Sequence, residues 1–200
     1  ILNFRMVDKT TKGLTVAVTY LKMTSPPARK IRRSPKLNMQ VELSKIEKPS
    51  VNFYRQIYAE VGLPWLWYER TEVPDEALLK IINHKKVAIY VLYVGGKPAG
   101  FAELDSRQPP NNNVRDLHLA YFGLMPKYTG CGLGTFFINS IVDIAWKDDI
   151  RRIWLRTCSL DHPAALHTYQ KAGFVIYGRE TCLIEDPREL NIIPYVSALR

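Results

Sequence analysis

Two hundred residues with 46% hydrophobic side chains are enough to bury one full core, and no uninterrupted apolar run is long enough to span a bilayer. The net charge of +9 looks like a nucleic-acid signature until it is mapped. Residues 1–36 hold nine basic side chains (Arg5, Lys9, Lys12, Lys22, Arg29, Lys30, Arg32, Arg33 and Lys36) against Asp8 alone, leaving 19 basic and 18 acidic residues beyond them. No aromatic stacking pattern accompanies those charges, so neither nucleic acid nor membrane is an expected partner.

Leu14 to Met23 alternates and is rich in Val, Thr and Tyr, which reads as a strand. Ser25 to Pro35 holds Pro26, Pro27 and Pro35 among basic residues and reads as a linker. Residues 1–36 are thus expected to form a basic N-terminal extension with one strand, and residues 37–200 the main domain. A solvated connector is the preferred reading of the extension, ahead of an anion-binding or docking role. Met39 to Ile46 alternates as the first strand of the main domain, and Ser50 to Val61 has helical spacing that stops at Gly62 before Pro64. After Trp65-Leu66-Trp67-Tyr68, Pro74 to Asn83 suits a short helix. Val87 to Val94 and Lys97 to Asp105 flank Gly95-Gly96, a hairpin signal.

Val114 to Leu124 is the next strand, followed by a helix whose Leu133, Phe137, Ile141, Ile144 and Ala145 share one face. Arg152 to Thr157 is a strand, and Asp161 is a suitable N-cap with Pro163 just inside the helix and Gly173 closing it. Phe174 to Glu185 returns as a long strand. Strands in a run, then helices between strands, predict an α+β fold with a mixed β-sheet flanked by helices.

Between the strand ending at Leu124 and the helix from Leu133 stand three alternating glycines, Gly130, Gly132 and Gly134. Glycines there let backbone amides face outward, and the helix start adds unpaired N–H groups and about half a positive charge, a cradle for phosphate. A Walker-type site needs a lysine after the last glycine, but Thr135 and Phe136 follow it. A Rossmann turn would place its third glycine at Thr135, and Arg152 to Thr157 has no acid to hold a ribose. Alone, the cluster reads equally well as a plain glycine-rich turn.

A second segment, Asp161-His-Pro-Ala-Ala-Leu-His-Thr-Tyr-Gln-Lys-Ala-Gly-Phe174, raises it above that level. Together the two resemble the Gcn5-related N-acetyltransferase (GNAT) superfamily, over about residues 37 to 185. Phe122 to Pro126 fits the family's strand end and Thr129 to Gly134 its pyrophosphate loop. His162, Ala165, Tyr169, Gly173 and Phe174 fit its later helix. Thr129 stands where the family usually has Gln or Arg, and His162 where it usually has Asn; the wording around Leu104 and His162 looks like a bacterial branch.

The resemblance implies acetyl-CoA as co-substrate, held by Phe122, Leu124, Thr129, Gly130, Cys131, Gly132, Leu133, Gly134, Thr135, His162 and Ala165. It implies Tyr169 as donor to the departing thiolate, with packing of its ring as the competing reading. It also implies that Trp65, Trp67 and Tyr68 cover the acceptor pocket, though a satellite core cluster suits them equally. For the general base Glu103 and His118 compete with water: Glu103 alternates with Phe101 and Asp105, and His118 titrates near neutrality and shares a face with Asp116.

The expected function is acetyl transfer by direct attack of a small-molecule primary amine. A non-catalytic acyl-CoA-binding module, acetylation of a protein or peptide amine, and docking through the basic extension remain as alternatives. Cys131, Cys158 and Cys182, odd in number and far apart, read as reduced thiols, and neither they nor His84, His162 and His167 have metal-like spacing. Starting at Ile1 leaves a removed leader open, with the cytosol as the expected location. An exposed late strand allows pairing into a homodimer.

Overall fold

Alternating apolar residues and the Gly95-Gly96 turn fold Val87–Val94 (β3) and Lys97–Asp105 (β4) into an antiparallel hairpin, with both glycines at positive φ (+56° and +75°). The computed structural model describes residues 13–28, 39–107, 115–146 and 150–195. Val41–Ile46 (β2) pairs with β3, and Asp116–Leu124 (β5) with β4, both antiparallel. Arg152–Cys158 (β6) lies parallel to β5.

Gly13–Met23 (β1) and Val175–Glu185 (β7) complete a seven-stranded mixed sheet in the order β2-β3-β4-β5-β6-β1-β7. The strand expected in an appended extension is therefore an interior strand, paired to β6 on one side and β7 on the other. Residue 36 does not divide the described fold, because β1 buries Val16, Val18, Leu21 and Met23 on alternating faces. Most of the Pro-rich linker and all nine basic side chains except Lys22 lie outside the described residues.

Helices cover both faces. On one, Val51–Gly62 (α1) and Asp75–Ile82 (α2) bury Tyr54, Ile57 and Leu78 against Ile89, Val91 and Phe101. Ser50 starts α1 by accepting the Phe53 N–H at 3.2 Å, an N-cap of the usual kind. On the other, Leu133–Ala145 (α3) and Ala165–Ala172 (α4) bury Phe137, Ile141 and Ala172 against Leu21, Leu119 and Leu155. Helix α4 begins later than expected, with Ala164 at its N-cap and Gly173 in the left-handed region at its end. Asp161 instead closes the turn after β6, its Oδ2 accepting the Cys158 N–H at 2.9 Å.

Two irregularities open the middle of the sheet. Strands β5 and β6 pair only from Asp116–His118 to Arg152–Trp154, although β5 runs on to Leu124 and β6 to Cys158. Beside this, Glu103 pairs with Tyr121 but Leu104 with Leu119, leaving Ala120 as a bulge that bends β5. An Asp116–Arg152 ion pair clamps the closed end, with Asp116 buried. Beyond it the strands diverge.

Candidate active site

The glycine loop has the backbone a cradle needs. Pro126–Tyr128 make one 3₁₀ turn, and Thr129 Oγ1 donates to the Pro126 carbonyl at 2.8 Å. Gly130 and Gly132 sit at φ +79° and +81° with open space where a Cβ would be. Gly132 is the N-cap of α3 and makes no side-chain cap, so the first-turn N–H groups stay available at the positive end of the helix dipole. These residues fit a diphosphate. Leu133 contributes only backbone there, since its side chain is buried in the core. Cys131 is exposed, its Sγ 3.2 Å from the Tyr128 carbonyl, and does not line the adjoining cavity.

From this loop a cavity of about 320 Å³ runs through the gap between β5 and β6. Met125 donates its N–H to the Ala99 carbonyl of β4 at 2.8 Å. Strand alternation then turns the N–H groups of Gly123 and Tyr121 toward β4, and those of Phe122 and Leu124 into the gap. Two main-chain donors on a strand edge can polarise a carbonyl placed between them.

Tyr169 of α4 reaches the cavity from the α3/α4 side, its ring edge-on to Phe122 (5.9 Å) and Phe174 (6.2 Å). Burial raises its pKa well above the ordinary phenol value, with Asp161 adding to the shift, so the hydroxyl is held protonated. Thr129, Gly130, Gly132, Gly134, Thr135, Ala165 and His162 line the same cavity. His162 packs edge-on to Trp65 at 5.1 Å, and its Nδ1 accepts the Ala164 N–H.

Neither residue expected as the base reaches this space. Glu103 is fully buried beneath α1, where Arg70 pairs with one carboxylate oxygen and Tyr54 donates to the other at 2.6 Å. Alternation placed it on the correct face of β4, but α1 covers that face. His118 stacks on Trp154 at 3.8 Å near the closed end of the gap. Its Nε2 is buried without a partner, and burial, aided by Arg156, lowers its pKa to about 3. A neutral ring held flat against an indole is a packing element.

The carboxylates that do line the cavity are Glu69 and Asp161. Glu69 follows the Trp65-Leu66-Trp67-Tyr68 segment, which leaves α1 through a 3₁₀ turn and a left-handed Leu66. Its Oε2 accepts from the Tyr58 hydroxyl at 2.9 Å, and burial raises its pKa above the ordinary carboxylate value. A carboxyl shifted up by burial in a cleft is a candidate acid–base group. No motif or periodicity marked it in the sequence.

Asp161 has both oxygens engaged, by Trp67 Nε1 (3.2 Å), Thr157 Oγ1 (2.7 Å) and the Cys158 N–H. It fixes Trp67, which with Trp65, Tyr68 and Tyr121 forms an aromatic wall. Cys158 also lines the space, but burial pushes its thiol up to about 12, which removes it as a nucleophile. Among the described residues no cluster suited to a metal ion is present, and no helix is long and apolar enough to cross a membrane.

Solved structures share this fold. A GCN5-related N-acetyltransferase from Sphaerobacter thermophilus superposes with a TM-score of 0.60 at 11% identity, over 91% of this chain and 53% of that one. A functionally unknown conserved protein from Staphylococcus epidermidis does so at 0.59 and 13%, over 87% and 63%. The chain thus spans between half and two thirds of the length of these two. Aminoglycoside N-acetyltransferase AAC(6')-Iy, solved in complex with CoA, matches at 0.51 and 18%, over 72% of this chain and 97% of that one. The model of the Acetyltransferase (GNAT) family matches residues 44–174, which span the glycine loop, Glu69 and Tyr169. The chain belongs to the GNAT family of acetyltransferases.

Proposed function

We propose that the chain transfers the acetyl group of acetyl-CoA to the amine of a compact small molecule that enters beside Trp65 and Trp67. The observation that carries this reading is that Glu69 and Tyr169 line one cavity from opposite faces of the sheet, with the gap between β5 and β6 between them. An acid–base pair split in that way suits a direct attack.

Acetyl-CoA, when bound, supplies an activated acyl group whose C–S bond breaks as the acceptor's N–C bond forms. The amides of residues 130–135 hold its diphosphate, and the Phe122 and Leu124 N–H groups face the thioester carbonyl. An alkylammonium of pKa about 10.4 is nucleophilic in only about one molecule in two thousand at pH 7, so Glu69 takes its proton. Tyr169 donates a hydrogen bond to the departing sulfur. Its pKa lies above the thiol's ordinary value of about 8.5, so it stabilises the thiolate without surrendering the proton outright.

The test is CoA release from acetyl-CoA across a panel of primary amines, with the wild type and Tyr169→Phe compared. Amine-dependent release that falls in the variant supports the reading. Cofactor binding without release by any amine favours a non-catalytic acyl-CoA-binding module.

A further inference from the structure

Beyond His118–Trp154 no backbone ladder joins β5 to β6, and side chains span the open end of the gap instead. Trp67, on the segment that leaves α1, donates its Nε1–H to Asp161 Oδ1 at 3.2 Å, and Trp65 meets His162 edge-on at 5.1 Å. Asp161 is held in turn by the Thr157 hydroxyl at 2.7 Å and the Cys158 N–H at 2.9 Å. The segment from Trp65 to Tyr68 is therefore a strap between α1 and the turn after β6.

The strap holds Trp67 in one place. Gly62 makes room for its ring, since a Cβ there would stand 2.5 Å from Trp67 Cε3. Gly123 of β5 lies under the far end of the indole, where a Cβ would be 3.6 Å from Cη2. Tyr58, Phe101 and Tyr121 surround the ring at centroid distances of 5.7, 6.4 and 5.3 Å. Trp67 nevertheless stays half-buried and lines the cavity. An aromatic side chain already fixed by its neighbours and its N–H loses little freedom when a ligand packs on it.

We infer that the acceptor is a primary monoamine carrying an uncharged aromatic ring on a short chain, with the ring against Trp67 and the amine facing Glu69. This deepens the acetyltransferase reading and rests on it.

The rest of the wall agrees. Across the gap, Val18 of β1, Leu160 of the turn and Ile184 of β7 line the same cavity, so the acceptor's body meets aliphatic as well as aromatic surface. Asp161 spends both oxygens on Trp67, Thr157 and Cys158, and Arg156 is engaged within the protein. Glu69 is then the carboxylate left for an ammonium, and a second ammonium on the acceptor would be desolvated against Trp67 or Leu160 with no anion to meet it.

The experiment compares kcat/KM for phenethylamine, 2-cyclohexylethylamine and 1,5-diaminopentane in the wild type and in Trp67→Leu. The wild type is expected to favour phenethylamine over the diamine by about 10- to 100-fold, the worth of burying one ring, and over the puckered cyclohexyl amine by about 2- to 10-fold, the worth of an aromatic pair. In Trp67→Leu both ratios should fall toward one, through the KM for phenethylamine. A wild type that uses the diamine or the cyclohexyl amine as well as phenethylamine, or ratios that survive in Trp67→Leu, overturns the inference while leaving the acetyltransferase reading intact. Cofactor binding without CoA release by any amine overturns both. A second measurement does not depend on the variant: 2-phenylethanol should inhibit the wild type in competition with the amine at concentrations where 1,5-pentanediol does not, and equal inhibition by the two sinks the role of Trp67.

Discussion

Replacing Glu69 by Gln is the most direct trial of the proposed chemistry. The amide keeps the side-chain volume and an oxygen to accept the Tyr58 hydroxyl, now 2.9 Å from Oε2, so the Trp65–Tyr68 segment should hold its shape. The change also removes the carboxylate charge that acts on the buried Arg156, so the melting temperature should fall somewhat, and kinetics are compared at a temperature where both proteins are folded. The proton acceptor is what disappears. At pH 7 about one amine in two thousand is neutral, and general bases contribute about 10²–10⁴-fold, so kcat should drop by about 10²–10³-fold. Turnover of the variant should then climb about tenfold per pH unit toward the amine's own pKa.

The wild type should behave differently. Because burial raises the Glu69 pKa, activity is lost as pH falls through that raised value, earlier than an exposed carboxylate would dictate, and stays flat above it. Chromatography of CoA and acetylated product is the suitable assay, since the exposed Cys131 thiol would react with a thiol reagent. Turnover within threefold of wild type at pH 7, with an unchanged pH profile, would refute Glu69 as the base.

Tyr169→Phe should lower kcat by about 10- to 100-fold with the acetyl-CoA KM nearly unchanged, and unchanged turnover in steady-state kinetics removes its assignment. Arg70→Met leaves the fully buried Glu103 uncompensated and should destabilise by about 3–5 kcal/mol, or about 6–20 °C in a melting experiment. His118→Phe should keep the stack on Trp154 and turnover. The folded-state pKa of His118 is depressed to about 3, so between about pH 6.5 and that value the unfolded chain binds the extra proton. Wild-type stability therefore falls as pH drops through this window, by up to about 1.4 kcal/mol per unit, and His118→Phe should flatten that slope in urea titrations. Gly132→Ala forces a side chain to φ +81° and should cost about 1 kcal/mol, with a raised KM for acetyl-CoA in the same assay.

Local chemistry made much of this fold legible. Gly95-Gly96 announced the β3–β4 hairpin, Ser50 the start of α1, and Gly130 and Gly132 a left-handed turn before α3. Each is a short-range backbone requirement that only certain residues meet. The proposed base, Glu69, was not legible for the converse reason. Alternation assigns Glu103 and His118 to a face of the sheet, yet whether that face is open depends on α1 and Trp154, elements distant in sequence. Glu69 belongs to no periodic element, and its exposure to the cavity arises from how Trp65 to Tyr68 fold over the sheet.

The placement of β1 carries the same lesson and ties it to the site. Its charge context suggested an arm, but its own residues pointed inward: Val16 and Val18 have one parity, Leu21 and Met23 the other, and a strand apolar on both faces needs neighbours on both. Which neighbours is a long-range matter that no local pattern encodes. Once paired from Val18–Cys158 to Met23–Ile153, β1 holds the far edge of β6 along the stretch where β6 has left β5. The N–H groups of Phe122 and Leu124 face the gap because β6 diverges from β5 beyond His118–Trp154, and the strand that looked like an appendage backs the diverging stretch of β6 along its other edge.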